Sequence, residues 1–252
     1  MSILTKYFVC LRKIMSQLAD SSLSSAQNSA VKYQGRKTSR AGSEQRRRLI
    51  LEAALRIVIR EGVRGIRHRA VAKEAEVPLA ATTYYFKDIQ ELINDTFTLY
   101  AEQSLEVVNQ FSMRLYEPLT GGEGKSFVEA MASAGDMSEI ISDNMTQYVV
   151  EQITEHRESL IAEQAFRYEA ILSPHLRKLG QVHKVALMQK LTDLLGIMRS
   201  PNPAADATIV ISVLHKIEYE GLLVEPEDLD KVAIRATLSR QLNLMLNSTP
   251  NT

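Results

Sequence analysis

The sequence predicts an all-α fold, and three observations support this prediction. The chain has 252 residues, of which 45% are hydrophobic, enough to bury a sizeable core in one large domain or in a small and a medium one. Leu, Ala, Ile, Glu, Arg and Gln together make up about half of the chain, whereas Trp is absent and aromatic residues make up only 6%. No stretch shows the sustained alternation of apolar and polar residues that is typical of strands, so helices are favoured.

The N-terminal region has the composition of an unfolded segment. Residues 16–42 are rich in Ser, with Gln, Asn and Lys among the other polar residues, and cannot offset the entropy of ordering, so we expect residues 1–42 to form a flexible basic arm. Basic residues interrupt the apolar-leaning start of the chain, which is shorter than the roughly 20 apolar residues of a membrane span. The single cysteine, Cys10, cannot form an intramolecular disulfide. We therefore expect a soluble, cytoplasmic protein, whose translation starts at Met1 or Met15.

The next segment predicts three helices. Ser43 is a candidate N-cap, and apolar residues then recur at helical spacing until Gly62 offers a stop, which predicts a helix over about 44–61. A short helix over Arg67–Ala75 and another over about Leu79–Phe86 follow, joined by only three residues. Two short helices joined in this way, with small alanines at their crossing, describe a helix-turn-helix.

The remainder reads as a series of longer helices. One is expected from Ile89 to about Tyr116, and glycines and prolines then punctuate the pattern. Further helices are predicted at about 125–133, 137–155, 157–172, 174–198, 203–222 and 227–246. The predicted domains are the arm (1–42), the helix-turn-helix domain (43–93), a larger helical domain (94–247) and a tail (248–252).

Charge is distributed unevenly, although the formal net charge is zero. Residues 1–43 carry seven basic residues against one acidic, and residues 44–93 carry ten against seven, so residues 94–252 have a net charge of −9. A basic end attracts DNA phosphates and an acidic end disfavours inverted docking. Charge alone leaves open that the arginines merely solvate helix faces.

Nearly fifty positions resemble one known family. Ile50-Leu51-Glu52-Ala53-Ala54, Glu61-Gly62, Val71 to Val77 and Thr82 to Asp88, followed by Glu91-Leu92, occur in the order and spacing of the DNA-binding domain of TetR-family (tetracycline-repressor) regulators. The resemblance covers about a fifth of the chain. It implies an N-terminal three-helix DNA-binding domain followed by a larger helical ligand-binding and dimerisation domain.

The resemblance also implies roles for individual residues. The helix from Leu79 would lie in the major groove, with Leu79, Ala81 and Tyr84 nearest the base edges. Arg67, His68, Arg69, Tyr85 and Lys87 would reach phosphates or bases, although His68 has the alternative of a helix cap and Arg67 of an ion pair. The predicted DNA-binding set is Arg67, His68, Arg69, Leu79, Ala81, Thr82, Thr83, Tyr84, Tyr85 and Lys87.

Some positions depart from the family pattern. Glu76 stands where the family usually has a turn glycine, so it must adopt a less favourable backbone conformation if the usual geometry holds. Thr82-Thr83 replaces the common Leu-Tyr, and Ile89 replaces a common phosphate-binding lysine. The arm offers Lys32 and Arg36, with Lys37 and Arg40, as minor-groove contacts, or it is simply a solvated tail.

The larger domain is expected to dimerise and to bind an effector. Apolar stripes on the helices at about 203–222 and 227–246 would form a four-helix dimer bundle, or would pack only internally. An apolar effector pocket is one interpretation of scattered large side chains, and plain core is the other. The candidates are Phe111, Met145, Tyr148, Phe166, Tyr168 and Met188.

We therefore interpret the sequence as a DNA-binding transcriptional regulator and not an enzyme. The expected partners are a palindromic double-stranded operator, a second copy of the chain and an unidentified small molecule that releases a repressor from DNA. No cofactor, metal, membrane partner or catalytic residue is predicted. The alternative is an effector-independent DNA-binding architectural or interaction protein.

Overall fold

The structure, a computed structural model, describes residues 31–36, 41–119, 134–198 and 200–246. These ranges contain nine α-helices, two short 3-10 turns and no strand, which confirms the predicted all-α fold. The helices are α1 (Ala41–Glu61), α2 (His68–Glu74), α3 (Leu79–Tyr85), α4 (Ile89–Leu119), α5 (Ala134–Thr154), α6 (Arg157–Leu172), α7 (Pro174–Ile197), α8 (Pro203–Gly221) and α9 (Lys231–Leu246).

The first helix differs from the prediction at its start and agrees at its end. It begins at Ala41, so Ser43 is inside the first turn and is not the N-cap; its hydroxyl lies 3.0 Å from the Tyr85 hydroxyl instead. The helix ends at Glu61, and Gly62 follows with a φ of 73°. Only glycine adopts this left-handed conformation at little cost, so the predicted stop at Gly62 is confirmed.

The last helix begins later than predicted. Residues Pro226–Asp228 form a 3-10 turn, and α9 starts only at Lys231. The carboxylate of Asp230 accepts the backbone N–H of Ala233 at 2.9 Å and so caps the helix at this point. The other long helices lie within three residues of their predicted starts and ends, and the helix expected at about 125–133 lies outside the described residues.

One apolar core connects the N-terminal helices with the later ones. Buried Ile50 on α1 and Phe86 belong to the same cluster as Phe166 on α6. Phe97 on α4 meets Phe166 edge-on, with 5.2 Å between ring centroids. Helix α1 therefore packs directly on α4 and α6, and this contact provides a route by which a movement of either helix reaches the N-terminal region.

Residues Val31–Arg36, which we call the N-terminal strap, lie against this core. The backbone N–H groups of Gln34 and Gly35 donate to the buried carboxylate of Asp95 at 2.6 and 2.8 Å. A Cβ on Gly35 would lie 2.8 Å from the same carboxylate, so only glycine allows this approach. The flexible arm expected over residues 1–42 is thus wrong for this part, because a buried carboxylate binds its backbone.

The body formed by α4–α9 closes around smaller apolar clusters. α5 packs against α9, and α7 packs against both α6 and α8. At the end of α8, a Cβ on Gly221 would lie 2.6 Å from Cδ1 of Ile153 on α5, so α8 and α5 are in close contact at this glycine. None of the described helices is both long and apolar enough to cross a bilayer.

Candidate functional site

A tight turn between α2 and α3 builds the helix-turn-helix. Val77 N–H donates to the Ala72 carbonyl at 3.0 Å, and Glu76 N–H points to the Lys73 carbonyl at 3.3 Å. These two bonds form the Schellman motif that ends a helix with a left-handed residue. Glu76 is that residue, with a φ of 54°. The predicted unfavourable backbone conformation of Glu76 is therefore confirmed.

The contact between α2 and α3 includes a polar link. The Thr82 hydroxyl donates to the Leu79 carbonyl at 2.8 Å, and His68 Nδ1 lies 3.1 Å from the same hydroxyl oxygen. Since the threonine proton is used on Leu79, Nδ1 of His68 must be the donor. Thr82 is completely buried and His68 partly buried, so both side chains face into the domain.

The outer face of α3 carries exposed side chains of several kinds. Leu79 is 42% and Tyr84 52% exposed, and Thr83 is also exposed, whereas Ala81 is half-buried. The Arg36 guanidinium of the strap lies 4.4 Å from the centroid of the Tyr84 ring. This stacking brings a cation from the strap to the outer face of α3.

Tyr85 does not share the exposure of its neighbour. It is only 5% exposed, and its hydroxyl lies 3.0 Å from that of Ser43 on α1. Its carbonyl accepts the backbone N–H of Arg36 at 3.0 Å. Tyr85 therefore joins α1, α3 and the strap, and its side chain points away from the outer face.

Exposed cations flank α3. Arg67, Arg69 and Lys87 are exposed, and no carboxylate among the described residues lies within ion-pair distance of them. Lys87 lies just before the capped N-terminus of α4. Its backbone N–H donates to Glu91 Oε2 at 2.7 Å, and Asp88 Oδ1 accepts the Glu91 N–H at 2.8 Å. The backbone that carries Lys87 is thus fixed beside α3.

Other arginines of this region are engaged within the protein. Arg56 and Arg60 on α1 both bind the Glu74 carboxylate on α2, at 2.7 and 2.6 Å. Hydrogen bonds from Arg60 and Arg56 lower the pKa of Glu74 to about 2. Both arginines hold α1 to α2, so they are poor candidates for a ligand contact.

A second feature is an apolar cavity inside the body. It lies between α4, α5, α7, α8 and α9, and its volume is about 40 Å³. Phe111 and Tyr148 stack on its wall with ring centroids 4.3 Å apart. Its lining comprises Phe111, Ile141, Met145, Tyr148, Leu191, Leu194, Leu195, Met198, Val210, Leu214, Leu238, Gln241, Leu242 and Met245.

The structure brings together only half of the predicted effector residues. Phe111, Met145 and Tyr148 line the cavity. Phe166 is buried in the core shared with α1, and Tyr168 is 63% exposed on α6. Met188 packs against the neighbouring cluster of α7, α8 and α9 without lining the cavity.

The body also buries acidic residues that the sequence reasoning missed. Burial, with a smaller effect of the nearby Glu163 carboxylate, raises the pKa of Glu218 on α8 to about 8. Burial likewise raises the pKa of Glu163 on α6, although Arg167 opposes the change. The position of Glu218, four residues after Leu214 and next to Ile217 in an apolar stripe, is the signal that could have revealed it.

Sequence comparison finds a curated relative that matches part of the chain. No protein-family model matches the sequence. The HTH-type transcriptional regulator PksA of Bacillus subtilis (strain 168) is 32% identical over 71 residues, which are 28% of this chain and 35% of PksA. The match thus spans about a third of the length of that relative.

Solved structures are similar over most of the chain. A TetR-family member from Streptomyces coelicolor A3 is 25% identical with a TM-score of 0.58, covering 78% of this chain and 98% of its own. The multidrug binding protein EbrR in complex with malachite green gives 25% identity and a TM-score of 0.54, with the same coverage. A TetR-family regulator from Mesorhizobium loti is 13% identical and has a TM-score of 0.61, so the two proteins are similar in fold. The alignment covers 83% of this chain and 98% of that protein.

Proposed function

We propose that the chain is a TetR-family transcriptional regulator that acts in the cytoplasm as a dimeric repressor, which a small molecule releases from a palindromic operator. The observation that carries this proposal is the outer face of α3. It presents exposed Leu79 and Tyr84 between exposed cations that have no acidic partner among the described residues. A helix of this kind fits the major groove, where base edges can be read.

Two kinds of DNA contact are proposed. Leu79, Ala81, Thr83 and Tyr84 face the bases, and the thymine methyl is a suitable partner for their apolar atoms. Arg67, Arg69 and Lys87 bind phosphates, which position the helix without reading sequence. The buried members of the predicted set have a different role here: His68, Thr82 and Tyr85 hold α3 in place through the hydrogen bonds described above.

Dimerisation through α8 and α9 is supported by apolar side chains that point outward. Ile209 and Tyr219 on α8 are 50% and 52% exposed, and Val232 on α9 is 81% exposed. The apolar stripes that the sequence predicts on these helices comprise Ala207, Val210, Ile211, Leu214, Ile217, Val232, Ile234, Leu238, Leu242 and Leu246. Six of these side chains, those of Ala207, Val210, Ile217, Ile234, Leu238 and Leu242, are buried inside the protomer instead. The proposed interface therefore uses the opposite faces of the same two helices.

The cavity is the proposed effector site. α4 begins beside α3 and carries Phe111 into the cavity wall, so a ligand that displaces this helix changes the position of the helix-turn-helix. EbrR, a structural neighbour, binds malachite green and ethidium. Almost complete release requires a preference of about 5.5 kcal/mol for the non-binding conformation.

A second candidate function is effector-independent DNA binding. A volume of about 40 Å³ favours it, because pockets for drug-sized ligands measure about 300 to 1,000 Å³. An effector must therefore enlarge the cavity, whereas a constitutive DNA-binding protein has no need to do so. Titration with apolar probes, described below, distinguishes the two candidates.

Selection of duplexes from a random DNA library, followed by gel shift, tests the proposal. The purified chain is expected to enrich a palindrome, and Lys87→Ala is expected to weaken binding several-fold and lower the slope of log affinity against log salt by about 1. Lys178→Ala, which removes an exposed lysine on α7, is the matched control and should change neither quantity. Absence of any enriched sequence, or equal effects of the two variants, would contradict DNA binding through α3.

A further inference from the structure

The cavity contains a polar side chain without a partner. Gln241, on α9, lines the cavity, and its Nε2 and Oε1 atoms are both buried with no hydrogen-bond partner among the described residues. The remaining lining side chains are aliphatic, thioether or aromatic, and only Tyr148 among them carries another polar group. An amide is therefore held in a setting that offers it almost nothing to bind.

An unpartnered buried amide destabilises the protein in the absence of a ligand. The amide loses its hydrogen bonds to water when it is buried, and without a partner nothing replaces them, so the folded state bears the full free-energy cost of desolvation. A leucine of similar volume would avoid this cost. A water in the cavity would have only the Gln241 amide and the Tyr148 hydroxyl as side-chain partners in the described lining, the low end of the two to four partners that a stable buried water needs. The amide of Gln241 thus has no partner within the described part of the chain, and it is available to a ligand that brings its own polar group.

From the lining we infer the chemical class of the effector. We propose that the cavity binds a neutral, predominantly apolar molecule with one hydroxyl, carbonyl or amide group, which pairs with the side-chain amide of Gln241. Among the described residues, no Asp, Glu, Lys, Arg or His lines the cavity, so a charged ligand would lose its hydration without a counter-ion. The claim that such a ligand controls DNA binding rests on the proposed function.

The walls provide a means of enlarging the cavity. Met145, Met198 and Met245 contribute to the lining from α5, from the end of α7 and from α9. Methionine is unbranched and polarisable, and it repacks around ligands of different shape more easily than leucine or isoleucine. Rotation of these three side chains admits a larger apolar body while Gln241 stays on its helix.

Calorimetric titration of the full chain with four molecules of one scaffold tests the inference. The probes are 4-butylphenol, butylbenzene, 4-butylbenzylammonium and 4-butylbenzoate. The phenol is expected to bind about tenfold more tightly than butylbenzene, as one additional hydrogen bond implies, and both ions at least tenfold more weakly than the phenol. Gln241→Leu should remove the advantage of the phenol and retain the affinity for butylbenzene.

Two controls separate a ligand contact from a structural role. Gln181→Leu, an exposed glutamine on α7, should leave all four affinities unchanged. Thermal unfolding of Gln241→Leu should occur at the same or a higher temperature, since the unpartnered amide is gone; a lower temperature would show that the amide holds the fold and would overturn the inference. So would an unchanged ratio of phenol to butylbenzene affinity in this variant, or tightest binding of either ion.

The same samples separate failure of this inference from failure of the proposed function. Gel shift on the selected palindrome without any probe reports DNA binding alone. If no probe binds but the palindrome is shifted, the effector class is wrong and DNA binding stands. If the phenol binds as expected but no DNA is shifted, the ligand site stands and the proposed function is wrong.

Discussion

Replacement of Asp95 by alanine is expected to be strongly destabilising. Its side chain is completely buried, and Arg47 Nη2, whose side chain is 4% exposed, lies 2.6 Å from Asp95 Oδ2. Two backbone N–H groups of the strap donate to the same carboxylate. Burial raises the pKa of Asp95, while these three donors favour its charged form.

The size of the effect follows from what the alanine leaves behind. Removal of one partner of a buried ion pair costs about 3 to 5 kcal/mol. The buried Arg47 guanidinium would keep only Glu44, whose side chain is 53% exposed, at 3.2 Å. The two N–H groups of the strap would also lose their acceptor, at about 1 to 3 kcal/mol each if they stayed buried. The strap can leave the surface and hydrate them, so we expect a total of about 3 to 5 kcal/mol.

Urea unfolding and limited proteolysis measure this prediction. Asp95→Ala should lower the unfolding midpoint at an unchanged m-value, and trypsin should cut after Lys32 or Arg36 much faster than in the unchanged chain. The matched control is Glu102→Ala on the same helix, since Glu102 accepts the Tyr33 hydroxyl at 2.6 Å but is exposed. Its effect should stay below about 1 kcal/mol.

A double variant that removes both charges of the Arg47–Asp95 pair tests this explanation of the stability loss. In Arg47→Met with Asp95→Leu no charge is left buried, so much of the lost stability should return, although the strap stays detached. Equal stability losses in Asp95→Ala and Glu102→Ala would refute the importance of the buried pair. Slow cleavage of the strap in Asp95→Ala would refute its attachment through this carboxylate.

Three further predictions concern the turn, the buried acid and the dimer. Glu76→Gly should raise the free energy of unfolding by about 0.5 to 1 kcal/mol in urea titrations, because glycine tolerates a φ of 54°; a loss would contradict the strain argument. Burial raises the pKa of Glu218 from 4.5 to about 8 in the folded protein, so the contribution of its neutral form to stability is complete below about pH 4.5 and is lost as the pH rises through 8. Glu218→Gln should therefore reduce the loss of unfolding free energy over this pH range. An unchanged pH profile in this variant would contradict the prediction. Tyr219→Glu should yield monomers in sedimentation experiments, whereas Val185→Glu, at an exposed apolar position on α7, should not; a dimer in both would exclude the proposed interface.

The local features of the helix-turn-helix could be predicted from the sequence. Gly62 marked a helix end because few residues adopt a positive φ, and Glu76 was expected to be strained because it stands at a position that needs one. The spacing of apolar residues gave the long helices because helical periodicity extends over many turns. These features depend on the residue itself and its near neighbours.

The features that depend on distant partners could not be predicted in this way. The strap is ordered because Asp95, sixty positions away along the chain, accepts its backbone N–H groups. Thr82 and Tyr84 share one short helix, but packing against α2 buries the first and leaves the second exposed. The cavity and the unpartnered amide of Gln241 arise where five helices meet, which no local pattern reveals.

The proposed function requires that two copies of α3 enter adjacent grooves of one duplex. Hydroxyl-radical footprinting of the selected palindrome tests this directly. We predict two protected segments related by two-fold symmetry, with centres one helical turn of about 10 base pairs, or a multiple of it, apart. A single protected segment, or two segments without this symmetry and spacing, would contradict the account.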